Sequence, residues 1–225
     1  MSPSQHVIPV RIGYSFAYIV RDEGTILVDT GLPGSEGIVL SALREHGVKP
    51  CDLRLILITH GHADHAGSAA ALKQETGALV AAGHHEVGRL RTGISGKLKA
   101  TSLAGRIFGV ICGRELFSRY PPVEPDILID SKYDLLVHGV HGSVIPTPGH
   151  TEGSVSVLLE SGDAIVGDLI SASLLFGSPA VPYFADDLYT WSRSIHSVLE
   201  RSQGRIYTGH GGPFDVGTIK SHLPF

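Results

Sequence analysis

Hydrophobic positions along the chain fall into short apolar runs separated by stretches that repeat at helical spacing. Residues 7–12, 16–20 and 25–28 are brief apolar runs broken by glycine and charged residues, the pattern of strands in a tight meander. Residues 37–46 place apolar side chains at helical intervals, with Ile38, Leu40 and Leu43 expected to face inward and Gly47 to stop the helix. The run 55–58 reads as a buried strand, 64–76 as a helix closed by Gly77, and 79–82 as the next strand. Further on, 127–129, 135–138, 144–145, 155–159, 164–166 and 205–207 read as strands, and 188–200 as a helix capped by Asp186 or Asp187. Periodicity alone therefore predicts an α/β or α+β fold. No linker, repeat or low-complexity segment interrupts it, so residues 1–225 are expected to form a single domain.

Composition narrows the class. A chain of 225 residues buries roughly 70% of its unfolded surface, enough for a substantial core. The 28 glycines suit a fold with many tight turns and βα loops. A net charge of −4 favours neither nucleic acid nor an anionic membrane as partner. Cys51 and Cys112 are the only cysteines, which supplies no disulfide framework and suggests a reducing compartment. No basic-then-apolar leader opens the chain, and no apolar run reaches the roughly 18 residues of a membrane span. A cytoplasmic location is the expectation.

The chemistry is concentrated in residues 59–65, Thr-His-Gly-His-Ala-Asp-His, where His60, His62, Asp64 and His65 crowd into six positions directly after an apolar strand. In extended backbone, residues two apart point the same way, so His60 and His62 can grip one ion. The turn into the following helix aims Asp64 and His65 at a neighbouring position. One segment can thus serve two metals. Isolated histidines are usually ordinary surface residues, and His6, His46, His138, His141, His196 and His222 are read that way; His84 and His85 are assigned a helix start or the surface.

This run resembles the HxHxDH signature of the metallo-β-lactamase-fold hydrolase superfamily. Pro148-Gly149-His150-Thr151, Val166-Gly167-Asp168 and Thr208-Gly209-His210-Gly211 resemble that family's later motifs, and Val28-Asp29-Thr30-Gly31 an early one, all in family order. The resemblance implies a four-layer αββα sandwich, an α+β fold of α/β type. It implies that His60, His62 and His150 hold one metal, that Asp64, His65 and His210 hold a second, and that Asp168 bridges them. Asp29 is implied to support the ligand loops from behind. Two divalent ions follow as cofactors, zinc above all, with iron or manganese as alternatives. The activity implied is hydrolysis of a small ester, thioester or lactone by a metal-bridging hydroxide, with Asp64 and Asp168 as the catalytic carboxylates.

Within the superfamily, Asp168 separates this chain from the true β-lactamases, which typically lack a bridging aspartate there. Glyoxalase II-like thioesterases share the ligand set and normally carry a C-terminal helical extension that grips glutathione, whereas fifteen residues follow His210 here; a glutathione thioester stays open but without support. Lactonases of the same branch usually carry tyrosine three residues after the bridging aspartate, where this chain has Ser171. RNA-processing relatives carry an arm that is not found here, so no nucleic-acid partner is expected. Iron-dependent persulfide dioxygenases tend to lose the second-site ligands that this chain keeps. That redox activity and phosphodiester hydrolysis are the alternative activities.

Residues 89–120 depart most from the core pattern. Arg89, Arg91, Lys97, Lys99, Arg106, Arg114 and Arg119 face only Glu115, and the run from Ile107 to Cys112 is almost wholly apolar. One or two glycine-loosened helices are expected, forming a helical insertion within the domain. Three readings stay open: a cap with a solvated basic face, a lid over the metal mouth, or a homodimer or membrane-surface contact through Gly105, Gly109 and Gly113. As a lid, Arg89, Arg91 and Phe108 would contact an anionic or acyl-bearing small-molecule substrate. Tyr183 reads either as a packed residue or as a hydrogen-bond donor at the mouth.

Overall fold

The computed structural model describes residues 5–111, 119–173 and 176–223. Cys112, Gly113, Arg114 and Glu115 lie outside the described residues, as does the side chain of Phe108.

Two six-stranded sheets stack on one another. The first runs β1 (His6–Ile12), β2 (Ser15–Arg21), β3 (Thr25–Val28), β4 (Leu53–Ile58), β5 (Leu79–Gly83) and β6 (Ile127–Ile129), in spatial order as in sequence. β1 to β3 form an antiparallel meander, and from β3 onward all pairings are parallel. Parallel neighbours need crossovers. These are helix α1 (Glu36–Glu45), the pair α2 (Ala63–Ala66) and α3 (Ala69–Thr76), and the stretch holding α4 (Val87–Thr92) and α5 (Leu103–Ile111). The second sheet contains β7 (Tyr133–Asp134), β8 (Gly142–Pro146), β9 (Val155–Leu159) and β10 (Ala164–Ile165). A small hairpin, β11 (Ser171–Ala172) with β12 (Pro179–Ala180), and helix α6 (Leu188–Arg201) lead to β13 (Arg205–Tyr207), β14 (Phe214–Asp215) and helix α7 (Val216–His222). The order across the second sheet is β14-β13-β10-β9-β8-β7, with only β10 and β13 parallel.

Three apolar clusters hold four layers together. Ile56 and Ile58 of β4 pack outward with Val39, Leu43, Leu72 and Leu90 of the helices. Leu55 and Leu57 of the same strand face the second sheet and meet Val144, Val155, Val157 and Ile165. Because β4 is buried on both faces, its sequence is continuously apolar instead of alternating. On the far side, Trp191, Ile195 and Val198 of α6 and Ile219 of α7 cover Ala164, Val166 and Ile206. The chain is thus the αββα sandwich expected.

Local departures have local causes. Residues 135–138 are a 3₁₀ turn, not a strand, because Asp134 accepts the Leu136 N–H at 2.9 Å and Gly139 takes φ 75° to end the turn. The helix expected over 64–76 divides into α2 and α3 where the Ser68 hydroxyl donates to Leu32 O at 2.7 Å. In α1 Val39 and Leu43 are fully buried and Leu40 packs half-buried against the same cluster, while Ile38 is exposed. His138, expected at the surface, is buried and bonded to the Tyr133 hydroxyl at 2.9 Å. Of the two candidate caps for α6, Asp187 takes the role, accepting from Tyr189 N and Thr190 N. Among the described residues no helix is long and apolar enough to cross a membrane.

Candidate metal centre

In the second sheet, β8, β10 and β13 run in one direction, so the loops leaving their ends gather at one edge. Those loops carry His150, Asp168 and His210. β4 of the first sheet delivers His60 and His62 to the same edge, and α2 supplies Asp64 and His65. His150 Nε2 lies 3.2 Å from His60 Nε2 and 3.1 Å from His62 Nδ1. His210 Nε2 lies 3.3 Å from both Asp64 Oδ2 and Asp168 Oδ2. Three overlapping groups bring ligand atoms within 4.8 Å of one another: His60–His62–His150, His60–His65–Asp168 and Asp64–His65–His210.

The hydrogen bonds around the cluster decide which atoms face into it. The Thr59 hydroxyl gives its proton to Asp29, so it accepts from His60 Nδ1 at 3.1 Å. His150 Nδ1 donates to Phe184 O at 2.8 Å. With both protons on Nδ1, the facing Nε2 atoms of His60 and His150 present lone pairs to each other. Lone pairs at 3.2 Å repel unless a cation lies between them. The separation matches the edge of a tetrahedron with bonds of about 2.0–2.1 Å. On the other side, buried His65 Nε2 and Asp168 Oδ1 are 3.3 Å apart, yet neither has a hydrogen-bond partner among the described residues. Buried polar atoms are normally satisfied, so unpaired atoms aimed into one cleft fit metal donors.

Charge divides the cluster in two. Burial lowers the pKa of His60, His62 (to about 3) and His150, with neighbouring histidines adding to the effect for His60 and His62. These three are neutral, the form in which imidazole binds metal. For His65, burial is outweighed by Asp168, Asp29 and Asp64, and its pKa is well above normal. For His210 the same contest, won by Asp168 and Asp64, raises it to about 10. Burial of Asp64 and Asp168 is likewise outweighed, by His65 and His210, and both carboxyls stay ionised. A metal entering this second half displaces protons from its imidazoles.

Asp29 is buried and braces the ligand loops. Its carboxylate accepts from Thr59 N at 2.8 Å, from the Thr59 hydroxyl, and from His65 Nδ1 at 2.8 Å. Its φ of 61° belongs to the left-handed region, which aspartate tolerates better than most residues. Behind His210, a Cβ on Gly209 would collide with Asp168 and His65, so only glycine lets that loop close on the site.

The residues assigned to substrate contact are distributed differently. Arg89 is tied to Glu86 at 2.9 Å, and Arg91 makes a two-point contact with Glu124 at 2.7 and 2.6 Å. Arg91 therefore does not join the cluster. Tyr183 is partly buried, and its carbonyl accepts from Thr101 N at 3.0 Å. His84 and His85 are exposed beside Asp130 and Glu152. Two neighbours of the centre carried no signal in the sequence. Tyr14, in the turn between β1 and β2, stacks on His210 with ring centres 5.5 Å apart. Glu86 is wholly buried beside the His60–His62 loop.

A four-layer sandwich with a His–Asp cluster where its strands end defines an α+β protein with a candidate metal centre. The model of the metallo-beta-lactamase superfamily matches residues 10–210. The chain belongs to that superfamily. Among curated relatives, a probable metallo-hydrolase of Methanocaldococcus jannaschii is 29% identical over 204 residues, covering 88% of this chain and 89% of the relative. A probable metallo-hydrolase of Bacillus subtilis is 27% identical over 213 residues, covering 92% and 90%. Among solved structures, Rm3 metallo-beta-lactamase matches with a TM-score of 0.66 at 25% identity, covering 91% of this chain and 75% of that one. BJP-1, a subclass B3 metallo-beta-lactamase of Bradyrhizobium japonicum, reaches 0.68 at 20% identity, covering 98% and 89%; that likeness is one of fold.

Proposed function

We propose that this protein is a dinuclear metal-dependent hydrolase of small esters, thioesters or lactones. The observation that carries the reading is the convergence of His60, His62, Asp64, His65, His150, Asp168 and His210 into two adjoining donor groups that meet at Asp168. Two bound divalent ions, zinc above all, supply water activated at neutral pH and polarisation of a carbonyl. The chain's own part is to hold three neutral imidazoles on one side and two carboxylates on the other, in a buried cleft where each charge acts strongly. Asp64 and Asp168 both lie 3.3 Å from His210 Nε2; in this reading they are the carboxylates that orient the attacking water and take its proton. Helix α5 meets the segment beside His150 through Gly105 and Gly109, which face Tyr183 and Phe184, while Leu103, Ile107 and Val110 are exposed on its other side. In this reading the substrate is a small acyl-bearing or anionic molecule, and residues 89–120 are a helical insertion that covers the cleft or, through the exposed apolar stripe, pairs two copies of the chain. Tyr183 precedes Phe184, which accepts from His150, and Arg89 reaches Asp186 of the same segment at 3.6 Å. The two-cysteine composition goes with a cytoplasmic enzyme.

The test is reconstitution of metal-stripped protein with zinc, manganese or iron, elemental analysis, and a panel of thioesters, lactones, aryl esters and phosphodiesters. About two equivalents per chain and metal-dependent turnover of a carbonyl substrate are expected. Full activity without metal overturns the reading. Turnover confined to phosphodiesters, or oxygen uptake with a persulfide on the iron form, replaces it with one of the two alternative activities.

A further inference from the structure

Glu86 ends the short turn after β5 and is fully buried. Its Oε2 accepts the Gly61 N–H at 2.7 Å, and Oε1 accepts the Gly153 N–H at 3.0 Å and Arg89 Nη1 at 2.9 Å. Gly61 lies between His60 and His62, and Gly153 lies three residues after His150 on its loop. One carboxylate therefore grips both loops that carry the neutral trio, between His60 and His62 on one and three residues past His150 on the other. The fit is tight: a Cβ on Gly61 would lie 2.8 Å from Oε2, and one on Gly153 would lie 2.7 Å from Oε1. The Gly61 carbonyl is held as well, accepting the Tyr120 hydroxyl at 2.9 Å.

Arg89 extends the clamp. Its Nε donates to Ser95 O at 3.0 Å, and its Nη2 is 3.6 Å from Asp186 Oδ2. The Ser95 hydroxyl oxygen accepts the Ala63 N–H, next to His62, at 3.0 Å. Asp186 N donates to His150 O at 3.0 Å. A buried ion pair is a weak source of stability, because the lost hydration of both charges offsets their attraction. Glu86 and Arg89 instead converge on the loops of one ligand trio, while Asp29 serves Thr59 and His65.

We propose that Glu86 is a positioning residue dedicated to the His60–His62–His150 trio, with Arg89 as its counterion, so that metal affinity at this trio depends on Glu86 and affinity at Asp64–His65–His210 does not. The proposal rests on the two-ion reading of the cluster. Metal-stripped full-length protein is titrated with Co²⁺, followed by absorbance, in two backgrounds: His210→Ala, which leaves the trio, and His62→Ala, which leaves the other group. Glu86→Gln is expected to weaken Co²⁺ binding about 10–100-fold in the first background, the usual loss when a residue behind a ligand is changed. In the second background it leaves affinity unchanged. Equal losses in both backgrounds, or none in either, overturn the proposal while the two-ion reading stands. A parent protein that binds no Co²⁺ overturns the two-ion reading and the proposal with it. Circular dichroism checks folding. If Glu86→Gln unfolds, Glu86→Asp, which keeps the charge opposite Arg89 but shortens its reach, is read against the same outcomes.

Discussion

Replacing Asp29 by alanine removes the acceptor for three buried donors at once: Thr59 N–H, the Thr59 hydroxyl and His65 Nδ1–H. The hydroxyl can turn elsewhere, since His60 Nδ1 is 3.1 Å away. The two N–H groups cannot, and each orphaned donor costs about 1–3 kcal/mol. Alanine at φ 61° adds roughly 1–2 kcal/mol of left-handed strain. Together the loss is roughly 3–8 kcal/mol, which for a chain of this size lowers Tm by at least about 6 °C. Asp29→Asn tolerates the same φ and keeps one acceptor oxygen, so its loss falls between alanine and the parent. Thermal unfolding of the metal-free proteins by circular dichroism separates this effect from metal binding. In the alanine variant the freed Thr59 hydroxyl donates to His60 Nδ1 and drives the imidazole proton onto Nε2, so zinc affinity falls as well. An Asp29→Ala protein melting within about 2 °C of the parent, or an asparagine variant as damaged as alanine, refutes the bracing role.

Gly61→Ala sets a Cβ 2.7 Å from Arg89 Cβ and 2.8 Å from Glu86 Oε2; overpacking of this kind costs about 1–3 kcal/mol, and an unchanged unfolding midpoint would contradict it. Asp187→Ala removes the cap of α6, costing about 1 kcal/mol, or roughly 2–4 °C in Tm. Between Asp22 and His141, the hydrogen bond from His141 outweighs the effect of burial, raising the histidine's pKa and lowering the carboxyl's. Their contribution to stability is complete between about pH 4 and 6.5. It is lost as pH rises through the histidine's elevated pKa or falls through the carboxyl's depressed one. An NMR titration should place His141 above 6.5, and Asp22→Asn should bring it back down; a titration midpoint indifferent to that substitution removes the pair from the account.

The elements that burial dictates were readable from the chain itself. Leu55 to Ile58 announce a strand covered on both faces, and the apolar spacing of 188–200 announces a one-sided helix, because period and length are local properties. Local too is the crowding of His60, His62, Asp64 and His65, since a ligand loop between a strand and a helix needs neighbours in sequence. Less legible were 135–138, where one side-chain cap on Leu136 N tipped an apolar run into a turn, and α7, whose N-cap Asp215 is also the last residue of a two-residue strand. Glu86 and Arg89 stand three apart, which in sequence is the mark of an exposed helical pair. Only the approach of Gly61 and Gly153, from β-strand loops of different sheets, turns that pair into a buried clamp. The same holds for Tyr14 over His210. A sequence specifies which donors exist and which face of each element is apolar. Which donors share a cleft is set by how two sheets stack, and that is decided by contacts between residues far apart along the chain.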